Sequence, residues 1–192
     1  EYEQAPRLTE WCVALVSTLP ALVNEHFPEA VLSSTVHTNK LAVCEGKGSH
    51  YAKHYDNSGG DDLRKLTVIL YLQPAWEEAQ GGHFRMYPRA DSVAAEGGSH
   101  ADGHRVGTDT NGHSYLDIAP IGGRLLAFWS DCMVHGVGAS EAASEEQHRW
   151  ALTVWMHTED PSAIVFDSDA EERHFGGGEG REVGAPDHRQ LA

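Results

Sequence analysis

The N-terminal part of the chain carries apolar residues at helical spacing. They recur three and four positions apart between Leu8 and Leu19, which is typical of a helix with one buried face. Proline disrupts a helix interior but fits a first turn, so Pro20 predicts a break followed by a second short helix. Pro28 predicts the end of that helix. We therefore expect residues 1–34 to form supporting helices that pack on the rest of the fold.

After residue 34 the pattern changes to short runs rich in β-branched and aromatic residues. The densest run, LTVILYLQ, is typical of a buried central strand. Clusters of glycine and polar residues separate the runs and predict turns. The predicted strands are residues 35–44, 50–55, 65–73, 82–87, 115–119, 123–129, 133–138 and 148–157. This pattern predicts a mainly β fold over residues 35–160, a double-stranded β-helix of the jelly-roll, cupin-like type.

Two segments lack the large apolar residues that a packed core requires. Residues 89–114 are polar, glycine-rich and histidine-rich, which predicts a long flexible insertion in the barrel. Residues 161–192 contain a glycine triplet and many charges, and we expect a weakly ordered tail there. The histidines of these segments could form a second metal site, but we expect them to belong to mobile segments instead: His100, His104, His113, His174 and His188.

Composition disfavours some classes of function. The net charge of −15 disfavours nucleic acid and anionic membrane surfaces as partners. No apolar run approaches the roughly 20 residues that cross a bilayer. Three cysteines (Cys12, Cys44 and Cys132) form no disulfide framework and favour a reducing compartment, cytoplasmic or nuclear. The sequence begins at Glu1 rather than at a methionine, so we expect a piece of a longer protein. We also expect the protein to be a monomer.

Candidate metal ligands occur in the run HYAKHYDNSGG. His54 and Asp56 are two residues apart, a spacing that places both side chains on one face of a strand. His135, in SDCMVHGVGAS, follows an apolar strand and could supply a third ligand from a facing strand. Two histidines and one carboxylate on one side of a metal leave open positions, as in non-haem Fe(II) oxygenases.

Arg149 begins the β-rich run RWALTVWMHT and should point inward together with Ala151 and Thr153. An arginine in a protein interior is costly unless its guanidinium meets an acid. A dicarboxylic cosubstrate would supply one, bound through two parallel charge-assisted hydrogen bonds. The alternative is a solvated arginine at the end of a surface strand.

Several motifs in this order resemble the prolyl 4-hydroxylase branch of the 2-oxoglutarate oxygenases, and most of all the hypoxia-inducible-factor prolyl hydroxylases. The likeness covers roughly residues 38–158. It rests on Y-x-x-H-x-D-N at Tyr51–Asn57, on Tyr71, Leu72 and Trp76, on GGHFRMYP at residues 81–88, on I-x-P and GRLLAFWSD at Ile118–Asp131, on His135, and on RWALTVW at Arg149–Trp155.

The resemblance implies an oxygenase that hydroxylates a C–H bond of a peptidyl proline and produces succinate and CO2. Its cofactors would be Fe(II), 2-oxoglutarate and O2, with ascorbate as a reductant. It implies these roles: Fe(II) bound by His54, Asp56 and His135; 2-oxoglutarate bound by Arg149, Tyr71 and Thr153; a proline-containing substrate bound by Tyr51, Trp155 and Arg64. The iron ligands and Arg149 would be the catalytic residues.

The sequence also departs from this branch. Glu45 stands near the place of a tyrosine that helps to hold the cosubstrate, Gln73 replaces an asparagine, and residues 89–114 replace a brief turn. Loops beside a site choose its substrate, so these differences leave other substrates open: a small molecule, a free amino acid or a nucleic acid. A non-catalytic cupin-like metal-binding module and a zinc hydrolase are the alternatives outside the oxygenases, although the chain has no H-E-x-x-H motif.

Overall fold

The computed structural model describes residue 3, residues 5–88 and residues 104–176. Predicted features at residues 89–103 and 177–192, including His100 and His188, lie outside this part. The described chain is mainly β, with helix α1 (Pro6–His26) before the strands and helix α2 (Ser168–Phe175) after them. Its strands are β1 (Leu32–Cys44), β2 (Ser49–His54), β3 (Arg64–Tyr71), β4 (Phe84–Tyr87), β5 (His104–Thr108), β6 (Ser114–Ile118), β7 (Leu125–Trp129), β8 (Val134–Ser140) and β9 (Arg149–Thr158).

The strands form two antiparallel sheets. One has the order β1-β9-β3-β7, and the other has the order β2-β8-β4-β6-β5. Their inner faces meet in a core to which both sheets contribute: Ile69, Tyr71, Phe84, Ile118, Phe128 and Ala151. Two antiparallel sheets that bury a common core are the architecture of the predicted jelly roll.

Alternation along β9 decides which of its side chains reach this interior. Ala151 belongs to the core between the sheets, whereas Met156 packs in a second core beneath α1. Because successive side chains on a strand point to opposite faces, Arg149, Thr153 and Trp155 share the inner face with Ala151. The strand therefore brings the predicted cosubstrate and substrate residues into the barrel.

The N-terminal region differs from the predicted pair of helices, since α1 is continuous through Pro20. A proline in a helix interior costs about 3 kcal/mol or more. Leu19 and Val23, on either side of Pro20 in the sequence, both pack against the sheet, and Pro20 is itself buried. This packing offsets the lost hydrogen bond, and α1 ends at His26, before Pro28.

β5 lies inside the segment that was predicted to be a loop. It pairs with β6 from His104 opposite Ile118 to Thr108 opposite Ser114, and it forms one edge of the five-stranded sheet. The sequence HRVGT has a single large apolar residue, Val106, so its strand pattern is weak. Backbone pairing with β6 supplies the stability that apolar burial does not.

The C-terminal region also holds more structure than predicted, because α2 covers part of the five-stranded sheet. The Asp167 carboxylate caps this helix by accepting a hydrogen bond from Ala170 N at 2.9 Å. Ala170 is 4% exposed and packs with Tyr55, Tyr87 and Val134. Neither α1 nor α2, the α-helices of the described residues, has the length and apolar character required to span a membrane.

Candidate active site

The three predicted metal ligands converge where β2 and β8 pair. His54 is the last residue of β2, and its direct cross-strand partner is His135 of β8. Cross-strand partners share one face of a sheet, and the two ring centroids lie 4.4 Å apart. Asp56 follows His54 by two residues, and the ligand atoms of all three side chains lie within 4.8 Å of one another.

The orientation of each imidazole is fixed by a backbone carbonyl. Nδ1 of His54 lies 2.7 Å from Ala52 O, and Nδ1 of His135 lies 3.0 Å from Met133 O. A carbonyl oxygen only accepts, so Nδ1 carries the proton in each neutral ring and Nε2 keeps its lone pair. Both Nε2 atoms lie 3.7 Å from Oδ1 of Asp56. This set of two nitrogens and one oxygen is chemically suited to Fe(II).

The ligands differ in how readily they take up a proton. Burial lowers the pKa of His54, but the Asp56 carboxylate more than offsets this effect, and the pKa lies above its usual value. Burial dominates for His135 and lowers its pKa to about 4, although Asp56 raises it. Burial raises the pKa of Asp56, but contacts with both histidines and with Thr67 bring it well below its usual range. His54 is therefore the first of the two imidazoles to be protonated as the pH falls, and protonation competes with metal binding.

One side of the centre is closed by aromatic rings. Phe84 stacks on His135 with ring centroids 5.0 Å apart, and Phe128 lies 4.7 Å from the same imidazole. The His135 side chain is only 5% exposed, whereas that of His54 is 41% exposed. The open side of the centre, from which a substrate would approach, is therefore the side of His54.

Arg149 is buried in the barrel without an acidic partner among the described residues. The residue is 6% exposed, and its Nη2 donates to the hydroxyl of Tyr71 at 3.3 Å. Its buried Nε has no hydrogen-bond partner. An uncompensated buried charge costs several kcal/mol. The guanidinium is thus suited to an anion that enters the pocket, and its planar fork matches a carboxylate.

Tyr71 is the second donor of this pocket. The residue is 0% exposed, and burial raises the pKa of its hydroxyl, which therefore stays protonated at neutral pH. The hydroxyl oxygen accepts from Arg149, so its own proton remains for a further acceptor. Arg149 and Tyr71 together present donors of the kind that a carboxylate group requires.

The predicted substrate residues line the same interior and are less buried than Arg149 and Tyr71. Trp155 is partly exposed, and the Arg64 guanidinium lies over its ring at 5.3 Å from the centroid. Asp62 holds Arg64 through hydrogen bonds from Nε at 3.0 and 2.9 Å. Tyr51 is the cross-strand partner of Val137, two residues after His135 on β8, which places it on the face of the metal ligands.

β1 brings two residues to the pocket that the sequence did not single out for it. Cys44, 3% exposed, is the cross-strand partner of Arg149, and Lys40 is the partner of Thr153. Both therefore face the interior, whereas Glu45, which stands near the place of a tyrosine in the resembled branch, follows the end of β1 and is exposed. The alternation along β1 indicates that Lys40 and Cys44 share one face of the strand. Only the register of β1 on β9 shows that this face is the interior one.

Comparison with known proteins identifies the family to which this chain belongs. A family described as the 2OG-Fe(II) oxygenase superfamily matches residues 39–157, a range that holds the metal ligands and Arg149. The chain belongs to the 2OG-Fe(II) oxygenase superfamily. Membership implies Fe(II), 2-oxoglutarate and O2 as cofactors, and His54, Asp56 and His135 form a cluster of described residues that could hold the iron.

Relatives of this oxygenase chain include prolyl hydroxylases, which confirms the resemblance inferred from the motifs. It is 33% identical to the prolyl hydroxylase EGLN3 of Homo sapiens over 135 residues, which cover 69% of this chain and 41% of that protein. It is 31% identical to the hypoxia-inducible factor prolyl hydroxylase of Caenorhabditis elegans over 116 residues, which cover 60% of this chain and 12% of that protein. The oxygenase chain thus spans less than half the length of these relatives.

Solved structures of this superfamily show the same fold. A prolyl hydroxylase of Trichoplax adhaerens, in complex with a peptide fragment of the hypoxia inducible factor oxygen degradation domain, has a TM-score of 0.59 and 26% identity, covering 83% of this chain and 60% of that one. A Pseudomonas putida prolyl-4-hydroxylase has a TM-score of 0.60 and 23% identity, covering 80% and 67% of the two chains. The predicted jelly roll is confirmed.

Proposed function

We propose that this oxygenase chain hydroxylates a prolyl residue of a peptide or protein, using Fe(II), 2-oxoglutarate and O2. The observation that carries the proposal is a cluster of metal ligands in the same barrel as a buried arginine that lacks an acidic partner among the described residues. A metal-storage module or a zinc hydrolase would need the cluster alone. A dicarboxylic cosubstrate accounts for both features.

In this proposal Nε2 of His54, Oδ1 of Asp56 and Nε2 of His135 bind the iron. When bound, Fe(II) with 2-oxoglutarate and O2 supplies the oxidising chemistry that places one oxygen atom in a substrate C–H bond and yields succinate and CO2. The backbone contacts at Nδ1 keep both imidazoles aimed at the metal. Phe84 and Phe128 exclude water from the side of His135.

Arg149, Tyr71 and Thr153 would bind the distal carboxylate of 2-oxoglutarate. Arg149 supplies the charge and Tyr71 a protonated hydroxyl, and both are buried. Thr153 shares their inner face of the sheet, since it lies on β9 two residues beyond Ala151. A carboxylate held there directs the other end of the molecule along the barrel.

Tyr51, Trp155 and Arg64 would bind the substrate at the open side. The two aromatic rings offer flat apolar surface of the kind that packs against a proline ring, and Arg64 lies over one of them. The prolyl hydroxylase names of the relatives support a peptidyl proline. A net charge of −15 disfavours a nucleic acid substrate.

We also propose that the chain acts as a monomer, which light scattering of the purified protein tests.

The decisive experiment supplies the purified chain with Fe(II), ascorbate, 2-oxoglutarate and a library of proline-containing peptides. We expect succinate release and a peptide product that is heavier by one oxygen atom on proline. His54→Ala should abolish both. Arg149→Ala should raise the concentration of 2-oxoglutarate required by about tenfold or more, because it removes a charge-assisted partner of the carboxylate.

Arg7→Ala is the matched control, because Arg7 is an exposed arginine on α1. It should leave the requirement for 2-oxoglutarate unchanged. Succinate release that survives His54→Ala would refute the ligand assignment. Turnover of a free amino acid, a small molecule or a nucleic acid in place of the peptides would refute the prolyl substrate but leave the oxygenase.

A further inference from the structure

A buried hydroxyl of β3 lies against the carboxylate of the proposed iron site. Thr67 is 0% exposed, and its Oγ1 donates to Oδ2 of Asp56 at 2.6 Å. The same Oγ1 lies 2.8 Å from Oγ of Ser130, which is also 0% exposed and directly follows β7. Both hydroxyls are therefore shielded from bulk water.

The direction of these hydrogen bonds follows from the number of protons available. A metal-binding carboxylate is ionised and can only accept, so the single hydroxyl proton of Thr67 goes to Asp56. Thr67 must then accept in its contact with Ser130, which donates. The result is a chain in which Ser130 orients the Thr67 hydroxyl and Thr67 orients the carboxylate.

Backbone hydrogen bonds fix Ser130 relative to both partners. Its N–H donates to Lys65 O at 2.9 Å, two residues before Thr67 on β3. Its carbonyl accepts from Asn57 N at 2.9 Å, one residue after Asp56. The serine thus joins β3 to the segment that carries the carboxylate, and the hydroxyl chain has little freedom to rearrange.

We propose that Thr67, oriented by Ser130, is a positioning residue that holds Asp56 as a metal ligand through one oxygen. This inference rests on the proposed function, since it requires the metal centre. With Oδ2 engaged by Thr67, Oδ1 is the oxygen that faces Nε2 of His54 and of His135, 3.7 Å from each. The terminal torsion of an aspartate is broad and roughly two-fold. Without the hydroxyl, Asp56 would turn between orientations, and Oδ1 would face the two imidazoles for only part of the time.

Thr67→Val tests this proposal, because it removes the hydroxyl and retains the shape of the side chain. The readout is the Kd for Mn(II), measured by electron paramagnetic resonance of free Mn(II) without 2-oxoglutarate or O2. Partners of metal ligands contribute about 10–100-fold to metal affinity, and we expect the Kd to rise by this factor. Thr67→Ser restores the hydroxyl and should restore a Kd near that of the wild type.

Thr158→Val is the matched control for a loss of stability. Thr158 lies on the outer face of β9 and is 2% exposed. Its hydroxyl donates a hydrogen bond shared between the backbone oxygens of Val31 and Asp160, at 3.3 and 3.2 Å. Unfolding of the metal-free protein should show that both valine variants fold and that both lose stability, while only Thr67→Val loses Mn(II) affinity. An equal rise in Kd for Thr158→Val would overturn the proposal.

His54→Ala separates this inference from the proposed function. If His54→Ala abolishes Mn(II) binding and Thr67→Val leaves it unchanged, the positioning role is refuted and the metal centre stands. If His54→Ala also leaves Mn(II) binding unchanged, the metal centre itself is refuted. Ser130→Ala should raise the Kd by a smaller factor than Thr67→Val, and an unchanged Kd would remove Ser130 from the proposal.

Discussion

Gly82 lies directly against the side chain of Arg149. Its φ of +68° is in the left-handed region, and an added Cβ would lie 3.0 Å from Cδ of the arginine. A side chain at position 82 therefore meets two separate penalties, one from the backbone conformation and one from contact with the Arg149 side chain. The glycine lets the backbone before β4 approach the stem of Arg149, which fixes where the guanidinium lies.

Gly82→Ala is expected to weaken binding of 2-oxoglutarate to the Mn(II)-loaded protein, since Arg149 must shift away from the new methyl group. The left-handed conformation alone should destabilise the fold by about 1–2 kcal/mol. Isothermal titration and denaturant unfolding measure the two effects. Gly112→Ala is the matched control, because Gly112 has a φ of +84° and nothing within 4 Å of an added Cβ. It should lose stability and keep its affinity, and an equal loss of affinity would contradict the prediction.

At the scale of elements, the β5–β6 hairpin depends on one carboxylate in its turn. Asp109 Oδ1 accepts from the backbone N–H groups of Asn111 and His113, both at 2.9 Å. Its Oδ2 accepts from Nζ of Lys53, on β2, at 2.9 Å. The turn is therefore held both locally and by a residue that is distant in the sequence.

The pH dependence of stability should reflect this turn. Burial raises the pKa of Asp109, but the hydrogen bonds from Lys53 and the backbone outweigh it and hold the pKa well below its usual value. Because the folded pKa lies below the unfolded value of about 3.9, the carboxylate stabilises the fold above that pH and loses this effect as the pH falls further. Asp109→Asn should cost about 1–3 kcal/mol at pH 7 and progressively less below about pH 4.

Denaturant unfolding at a series of pH values measures this dependence. Asp61→Asn, at an exposed aspartate in the turn before β3, is the control and should cost little at either end of the range. A cost of Asp109→Asn that is the same at low and neutral pH would show that the carboxylate charge is not what holds the hairpin.

In the molecule as a whole, the barrel contains groups that are suited to bind a cation and an anion. Imidazole and carboxylate groups converge at one point, and Arg149 is buried without an acid among the described residues. Ligands that bind only the folded state stabilise it by about 2.7 kcal/mol at a concentration of 100 times Kd. Metal and cosubstrate should therefore stabilise the entire fold.

Thermal unfolding should show this effect in two steps. Mn(II) should raise the unfolding midpoint, and 2-oxoglutarate added to the Mn(II)-loaded protein should raise it further, by about 2–4 °C for each kcal/mol of binding free energy. In Arg149→Ala the first rise should remain and the second should shrink. A full second rise in that variant would mean that the cosubstrate carboxylate binds elsewhere.

Local patterns of the sequence predicted every strand of the described residues except β5, the closeness of His54 and Asp56, and Arg149 at the start of an inward-facing run, although Asp56 lies just beyond the end of β2. Each of these depends on neighbours within a few positions, and a strand period of two is legible without a structure. The resemblance to prolyl hydroxylases came from the same short motifs. Their order along the chain predicted the fold and the residues of the candidate site.

Tertiary structure alone decided how these pieces meet. It set His135 opposite His54, turned Cys44 rather than Glu45 toward Arg149, and placed Thr67 against Asp56. It also carried α1 through Pro20 and formed β5 in a segment of weak pattern. The physical reason is that register and long-range packing depend on contacts between residues far apart in the chain, whose energies outweigh local preference and leave no periodic signal in the sequence.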